Sequence, residues 1–418
     1  MGLDWSIAGA TLPGRSGLWD VGILGDRTVS VTPHASTDHP VTADRTLVAD
    51  GRLLIPSFVD AHFHLDKALI YDRAPAQEGT FAEAMRETLR LKQGFTVEDM
   101  QHRATQVLER AIAHGITALR SHVEVDPTLG LRALEALLPL RSAYAWGITL
   151  QLAIFAQEGI TNLPGEFALL RQALQLGGDV IGSAPYVDPD PRRNVQLIFD
   201  LAQEFNCDVD FHLDFLDDDE PLLLPFVIEE TLRRGWQGRV CVGHMTKLAA
   251  LSPQALDELA PALVESGIAV LALPASDLYI MGRKDTHNVR RGVAPIHRLG
   301  DLGVTVGVAV NNTQNLFTPF GDGDVLKVCW LLAEVLQLGT EAQQTQCLAM
   351  GTSYAGRAMG LTHGIEAGNL ADLVLLGVKS VGEAIALLPT ERTVFKQGKP
   401  VAHTALHRQI GTELTLSP

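Results

Sequence analysis

Apolar stretches of strand length recur along the chain, and polar residues close each one. Leu53 to Leu65 (LLIPSFVDAHFHL) is the first and ends in His62-Phe63-His64. Thr117 to Asp126 (TALRSHVEVD) is the second, and Ile148 to Phe155, followed by Gln157-Glu158-Gly159, the third. Val180 to Pro185 is the fourth, Asp208 to Asp214 (DVDFHLD) the fifth and Val240 to His244 the sixth. Ala269 to Pro274, leading to Asp277, is the seventh, and Val304 to Val310, then Asn311-Asn312, the eighth. Amphipathic patterns of helical period lie between them. Met100, Ala104, Val107, Leu108, Ala111 and Ile112 share one helical face, with Thr96 as N-cap and Gly115 as the stop. Strand and helix alternating in this way predict an α/β fold, a (β/α)8 TIM barrel, whose active site lies at the C-terminal ends of the strands.

The two ends of the chain have a different pattern. Trp19 to Asp26 has the look of a short strand entering a tight turn, and short β patterns return at Ala371–Gly377 and Thr393–Lys399. Residues 1–55 plus 364–418 are therefore expected to form one small β-sandwich built from both chain termini, with the barrel, 56–363, inserted between them.

Composition narrows the function. A chain of 418 residues suits a barrel with an addition. No run is long enough to span a bilayer, and no basic, apolar signal peptide opens the chain, so a cytoplasmic enzyme without a membrane partner is expected. The formal net charge of -16 argues against nucleic acid as a partner. Cys207, Cys241, Cys329 and Cys347 are too scattered for a Cys-x-x-Cys metal site and read as buried reduced thiols.

The candidate chemistry begins with His62 and His64. Side chains alternate along a strand, so His-x-His turns both imidazoles to one face. Two neutral imidazoles converging where a core strand reaches an opening make half of a metal site. His122, His212 and His244 stand at the ends of three later strands.

With these residues in place, the chain resembles the amidohydrolase superfamily, in its branch of cytosine deaminases and N-isopropylammelide amidohydrolases. The resemblance runs over nearly the whole chain. It is carried by PSFVDAHFHLDK (56–67), Arg120-Ser121-His122-Val123, Phe155 to Ile160, Val209 to His212, Gly243-His244, Met281-Gly282-Arg283 with Arg290-Arg291-Gly292, Pro319-Phe320-Gly321 and Gly364 to Leu373. It implies His62, His64 and His212 as ligands of one divalent metal ion, zinc or iron. It implies His244 as the group that orients the attacking hydroxide, and Gln157 as the hydrogen-bonding partner of a ring edge. The implied reaction is hydrolysis of a C–N bond in a pyrimidine- or triazine-like heterocycle, by hydroxide formed when the metal lowers the pKa of water to roughly 7. A homo-oligomer is expected.

Two positions depart from the family pattern. Asn311 stands where the family has a metal-binding aspartate at the end of strand eight, with Asn312 beside it. Phe215 stands where cytosine deaminases carry a proton-shuttling glutamate. Strand alternation puts Asp214 on the face of His212, which makes it the expected replacement, with Asp217 as runner-up; Asp218 to Glu220 read as a solvated run. His122, Asn312 and Asp277 are expected to contact substrate, though His122 equally fits a structural role. Asp66 and Lys67 are expected to pair with each other, and Lys247 to lie on a surface loop. Three readings remain: a heterocycle deaminase, a hydrolase of a cyclic amide or N-alkyl amine, and a non-catalytic ligand-binding relative that lost the carboxylates at 311 and 215.

Overall fold

The structure is a computed structural model that describes residues 2–34, 42–215, 218, 220–408 and 410. Eight strands, Phe58–Phe63, Ile116–Glu124, Thr149–Ala156, Val180–Ser183, Asp208–Leu213, Val240–His244, Ala269–Ala272 and Val306–Val308, run parallel, each bonded to the next in chain order. They are numbered one to eight below. The ring closes where His64 N donates to Asn311 O (3.0 Å) and Asn311 N donates to His62 O (2.9 Å). The fold is thus the expected TIM barrel. Parallel neighbours need a crossover, and helices such as Val97–Ala113, Pro191–Phe205 and Pro253–Ser266 supply it.

Helix Val97–Ala113 shows why the local sequence folds as it does. The Thr96 side chain accepts from Asp99 N, and Met100, Ala104, Val107, Leu108, Ala111 and Ile112 are buried along one stripe. Gly115 follows with φ +87°, and a Cβ there would meet Val374 at 2.7 Å, so the tight return into strand two needs glycine.

The termini supply two further sheets of four strands. One is Leu3–Ala10, Trp19–Leu24, Arg27–Pro33 and Ala43–Val48; the other joins Leu54–Pro56 to Leu373–Leu376, Arg392–Lys396 and Lys399–Thr404. Ile7, Val21, Ile23, Leu54, Leu373, Leu375 and Phe395 form one buried cluster between them, a small sandwich made from both ends of the chain. All four cysteines are buried and unpaired. No helix among the described residues is long and apolar enough to cross a membrane.

Four non-glycine residues where barrel strands end have positive φ: Asp214 (46°), His244 (71°), Met245 (52°) and Asn311 (66°). Such conformations are uncommon and collect at functional sites. Here they turn the chain at the barrel mouth and decide which side chains enter it.

Candidate active site

His62 and His64 leave strand one on the same face, as alternation requires, and meet His212 from strand five. The Nε2 atoms of His62 and His64 each lie 3.0 Å from Nε2 of His212. All three rings are buried, and burial holds their pKa values well below the ordinary imidazole range, with Lys67 or the neighbouring histidines adding to the shift. All three are therefore neutral at physiological pH, with lone pairs available. Their Nδ1 atoms have no hydrogen-bond partner among the described residues; that of His62 points toward Asp210 Oδ1 at 3.8 Å.

His244, at the end of strand six, is within reach of the same point: one ring nitrogen each of His62, His212 and His244 lie within 4.8 Å of one another. Its Nδ1 lies 2.7 Å from Asp277 Oδ1. Asp277 sits in the short helix Pro274–Ile280 after strand seven and is fully buried, and its second oxygen accepts from Leu273 N. Burial raises the Asp277 pKa, and the His244 contact opposes that rise. Asp277 thus stands behind His244 and outside the cavity, which corrects its expected place against substrate.

The cavity above these histidines is lined by Lys67, Gln157, Ser276, Asn311 and Asn312 on its polar sides, and by Phe81, Tyr186, Phe215, Ile280 and Phe317. The four rings lean on one another at 5.6–6.3 Å between centroids, and Phe215 packs on His244 at 4.1 Å. The space between them is about that of one water, so a heterocycle enters only as these side chains shift.

Asn311 and Asn312 lie at the cavity as expected. Asn311 Nδ2 donates to Ser276 Oγ (2.8 Å), which leaves Asn311 Oδ1 buried without a partner among the described residues. Asn312 Oδ1 accepts from Asn315 Nδ2 (2.5 Å). Ser276 bonds Thr318 Oγ1 as well (2.6 Å), so this serine ties the asparagines after strand eight to the helix after strand seven. Nothing in its sequence context marks it.

Two further expected site residues are displaced. Asp214 does not share the inward face with His212, because the chain leaves the strand at Leu213 and turns left-handed at Asp214. Its carboxylate accepts from Leu223 N (2.9 Å) and Leu224 N (3.1 Å) at the start of helix Leu224–Arg234, and Phe215 takes the place in the cavity. Asp217 lies outside the described residues. His122 is buried beside His62, its ring 4.0 Å from that of His62 and its Nε2 3.2 Å from Asp210 Oδ1. It does not line the cavity, so the structural alternative replaces substrate contact. No carboxylate lines the cavity among the described residues.

Lys67 does not pair with Asp66. Its Nζ donates to Glu124 Oε2 (3.1 Å) and Gln157 Oε1 (2.8 Å), while Asp66 Oδ2 accepts from Glu124 N (2.9 Å). Glu124 Oε1 accepts in turn from Lys92 (2.6 Å), which also donates to Asp126 (2.7 Å) and to both oxygens of Glu158 (2.6 and 2.7 Å). Burial disfavours the Lys92 ammonium, but these carboxylates outweigh it and raise its pKa. Lys92 ends helix Phe81–Lys92, whose first residue lines the cavity, so this buried ion cluster anchors one wall. A lysine in a helix's last turn ordinarily reads as solvated, and so the sequence hid it. Lys247 pairs with Asp218 and is absent from the cavity, as expected.

A family model described as "Amidohydrolase family" matches residues 46–402. The chain is 29% identical to N-isopropylammelide isopropyl amidohydrolase of Pseudomonas sp. (strain ADP), over 95% of this chain and 96% of that one. It is 27% identical to pterin deaminase of Rhizobium rhizogenes, over 95% and 91%. The structure of 5-methylcytosine deaminase from Klebsiella pneumoniae with 5-fluorocytosine superposes with a TM-score of 0.91 at 28% identity, covering 97% of this chain and 99% of that one.

Proposed function

The chain belongs to the amidohydrolase family, and on that premise we propose that it hydrolyses a C–N bond of a flat nitrogen heterocycle and releases ammonia or an alkylamine. One observation carries the reading: two neutral imidazoles, those of His62 and His64, each come within hydrogen-bond distance of a third, that of His212, beside a His–Asp pair, at the base of an aromatic-walled cavity. The relatives named above carry an amidohydrolase, a pterin deaminase and a 5-methylcytosine deaminase among them, which supports a ring amine or N-alkylamine as the leaving group.

The donor set fits a borderline divalent cation such as zinc or iron. His62, His64 and His212 would hold it through Nε2, and the unpartnered Asn311 Oδ1 is the remaining oxygen at hand. Such an ion supplies Lewis acidity that makes water available as a nucleophile near neutral pH, and three neutral histidines suffice for that in known zinc sites. Proton movement falls to His244. With Nδ1–H given to Asp277, its Nε2 is the acceptor that takes a proton from the attacking water and returns it to the leaving nitrogen. This assignment replaces Asp214. On this reading the barrel domain, 56–363, carries every one of these groups, and the described residues of 1–55 and 364–418 make up the separate sandwich domain.

A second reading has one observation in its favour. No carboxylate reaches the cavity among the described residues, as in a relative that binds a ligand without turning it over. Protein loaded with zinc or iron and assayed for ammonia or amine over amino- and alkylamino-pyrimidines, triazines and pterins separates the two. Release from at least one compound, lost in His244→Asn, is expected. No release from any of them with metal bound would leave the ligand-binding reading.

A further inference from the structure

Tyr186 stands in the 3-10 turn Pro185–Val187 that follows strand four. Pro185 fixes the entry to the turn, and Val187 N and Asp188 N close it onto Ala184 O (3.2 Å) and Pro185 O (3.0 Å). The Asp188 carboxylate then pins the turn to its neighbours, accepting from Ile160 N (2.6 Å), Thr161 N (3.0 Å) and Asn194 Nδ2 (2.9 Å). The phenol is thus presented to the cavity from a rigid base. Its hydroxyl has no hydrogen-bond partner among the described residues. Burial and the charge of Asp277 raise its pKa, so it remains an O–H donor at neutral and mildly alkaline pH.

The position of this hydroxyl is informative. Phe215 packs on His244 at 4.1 Å and on Tyr186 at 5.6 Å, so the phenol belongs to the His244 side of the cavity. The Lys67 ammonium lies elsewhere, near the rings of Phe155 and Phe317. Phe215 is also the residue that stands in place of the proton-shuttling glutamate expected from the resemblance to cytosine deaminases. The second hydroxyl on the cavity wall, that of Ser276, is committed to Asn311 Nδ2 (2.8 Å) and Thr318 Oγ1 (2.6 Å). Tyr186 therefore carries the one uncommitted hydroxyl on the wall among the described residues, next to the place where a carboxylate was lost.

We infer that Tyr186 is a further catalytic residue, the hydroxyl that gives a proton to the ring nitrogen beside the attacked carbon. The inference rests on the hydrolase reading and deepens it by naming a second proton carrier beside His244. As hydroxide adds to the carbon that bears the amine, the electron pair of the ring C=N bond passes to nitrogen, and the Tyr186 proton follows onto that nitrogen. The phenolate recovers a proton from the new C–OH as the carbonyl forms and the bond to the amine breaks. The amine leaves with the proton that His244 took from water. One water is consumed, the ring ends as a lactam, and both side chains are restored. A ring nitrogen bearing a full negative charge is a stronger base than a phenolate, so a weakly acidic phenol suits the step.

The test uses metal-loaded full-length protein and three probes, 5-methylcytosine, N-isopropylammelide and pterin, with release of ammonia or isopropylamine followed over time. Tyr186→Phe removes one oxygen and keeps the ring that packs on Phe81 and Phe215. On each probe that the wild type hydrolyses, this variant is expected to lower kcat by about 10² to 10⁴, the range for removing a general acid–base group. KM, metal content and the thermal midpoint are expected to stay within error of the wild type. A wall residue of purely structural role would move KM or the midpoint instead. Phe215→Glu, added to the Tyr186→Phe protein, returns a proton carrier to the adjoining position and is expected to recover kcat at least tenfold. A kcat unchanged in folded, metal-replete Tyr186→Phe protein, or a loss that Phe215→Glu does not recover, would overturn the inference and leave the hydrolase reading intact. No release by the wild type from any of the three probes would remove the hydrolase reading and the role of Tyr186 with it.

Discussion

His244 Nδ1 and Asp277 Oδ1 lie 2.7 Å apart, both buried, one from the end of strand six and the other from the helix after strand seven. The pair fixes which nitrogen of His244 carries a proton toward the protein, and therefore which nitrogen faces the cavity as a base. His244→Asn is expected to lower kcat by about 10² to 10⁴, the range for removing a general acid–base group. Asp277→Asn is expected to lower kcat by at least about tenfold and to shift the acidic limb of the pH–rate profile, with metal content unchanged. The double variant should be no slower than His244→Asn alone, because the two residues act as a unit. Additive losses would mean that Asp277 acts independently of His244.

The convergence of these histidines is legible because a strand's period is rigid: His62 and His64 must share a face, and His212 and His244 close strands whose apolar runs are plain. The period stops being a guide where the strand stops. Asp214 lies one residue past strand five, and its positive φ turns the side chain away, so alternation assigned it the wrong side. Asp277 follows strand seven, but its partner comes from the adjacent strand, so only the barrel's register shows that it stands behind His244 and not against substrate. The Lys67–Glu124–Lys92 chain joins residues from three separate segments, and no local pattern links them.

Asp214 caps a helix, and its loss should be felt in stability. Asp214→Ala removes the acceptor for Leu223 N and Leu224 N and is expected to cost about 0.5–2 kcal/mol, the range for lost N-caps. Denaturant unfolding measures that cost, and kcat should stay near the wild-type value. A collapse of kcat in a protein that still unfolds at the wild-type midpoint would return Asp214 to the chemistry.

Asn311 brings a neutral oxygen where a carboxylate would bring a charge, so retention of a divalent ion rests on the histidines. Asn311→Asp places an anion beside neutral His62, His64 and His212 and reverses the Ser276 contact, the carboxylate accepting from the Ser276 hydroxyl where the amide NH2 donates to it. Metal loss to a chelator, followed by elemental analysis over time, is expected to slow in this variant. Equal rates of loss would show that position 311 does not reach the ion.

Lys92 holds three carboxylates together in a largely buried place, with only Glu158 partly exposed. Lys92→Met leaves Glu124, Asp126 and Glu158 without their shared cation, and breaking such a buried arrangement costs on the order of 3–5 kcal/mol. Because Lys92 ends the helix that begins at Phe81, the same change is expected to loosen that wall. Hydrogen exchange over residues 81–92 should rise well before global unfolding. Exchange unchanged in a folded variant would show that the helix is held by its apolar contacts alone.

Glu166 opens helix Glu166–Gln175 beside that cluster, and neither of its oxygens has a hydrogen-bond partner among the described residues. Burial, with the nearby charges of Asp126, Glu158 and Glu124, raises its pKa to about 9. The folded protein therefore binds a proton at neutral pH that the unfolded chain, with an ordinary glutamate near 4.5, has released. Stability linked to this group is complete below the unfolded pKa and is lost steadily as pH rises toward 9. Glu158, raised to about 7 by burial and Glu124, adds to the loss in the same direction up to neutrality. Glu166→Gln has no proton to lose. Its melting temperature is expected to match the wild type near pH 5 and to exceed it increasingly from pH 6 to pH 9. A constant difference between the two proteins across that range would mean that Glu166 is ionised in the folded state, with its charge met by Lys92.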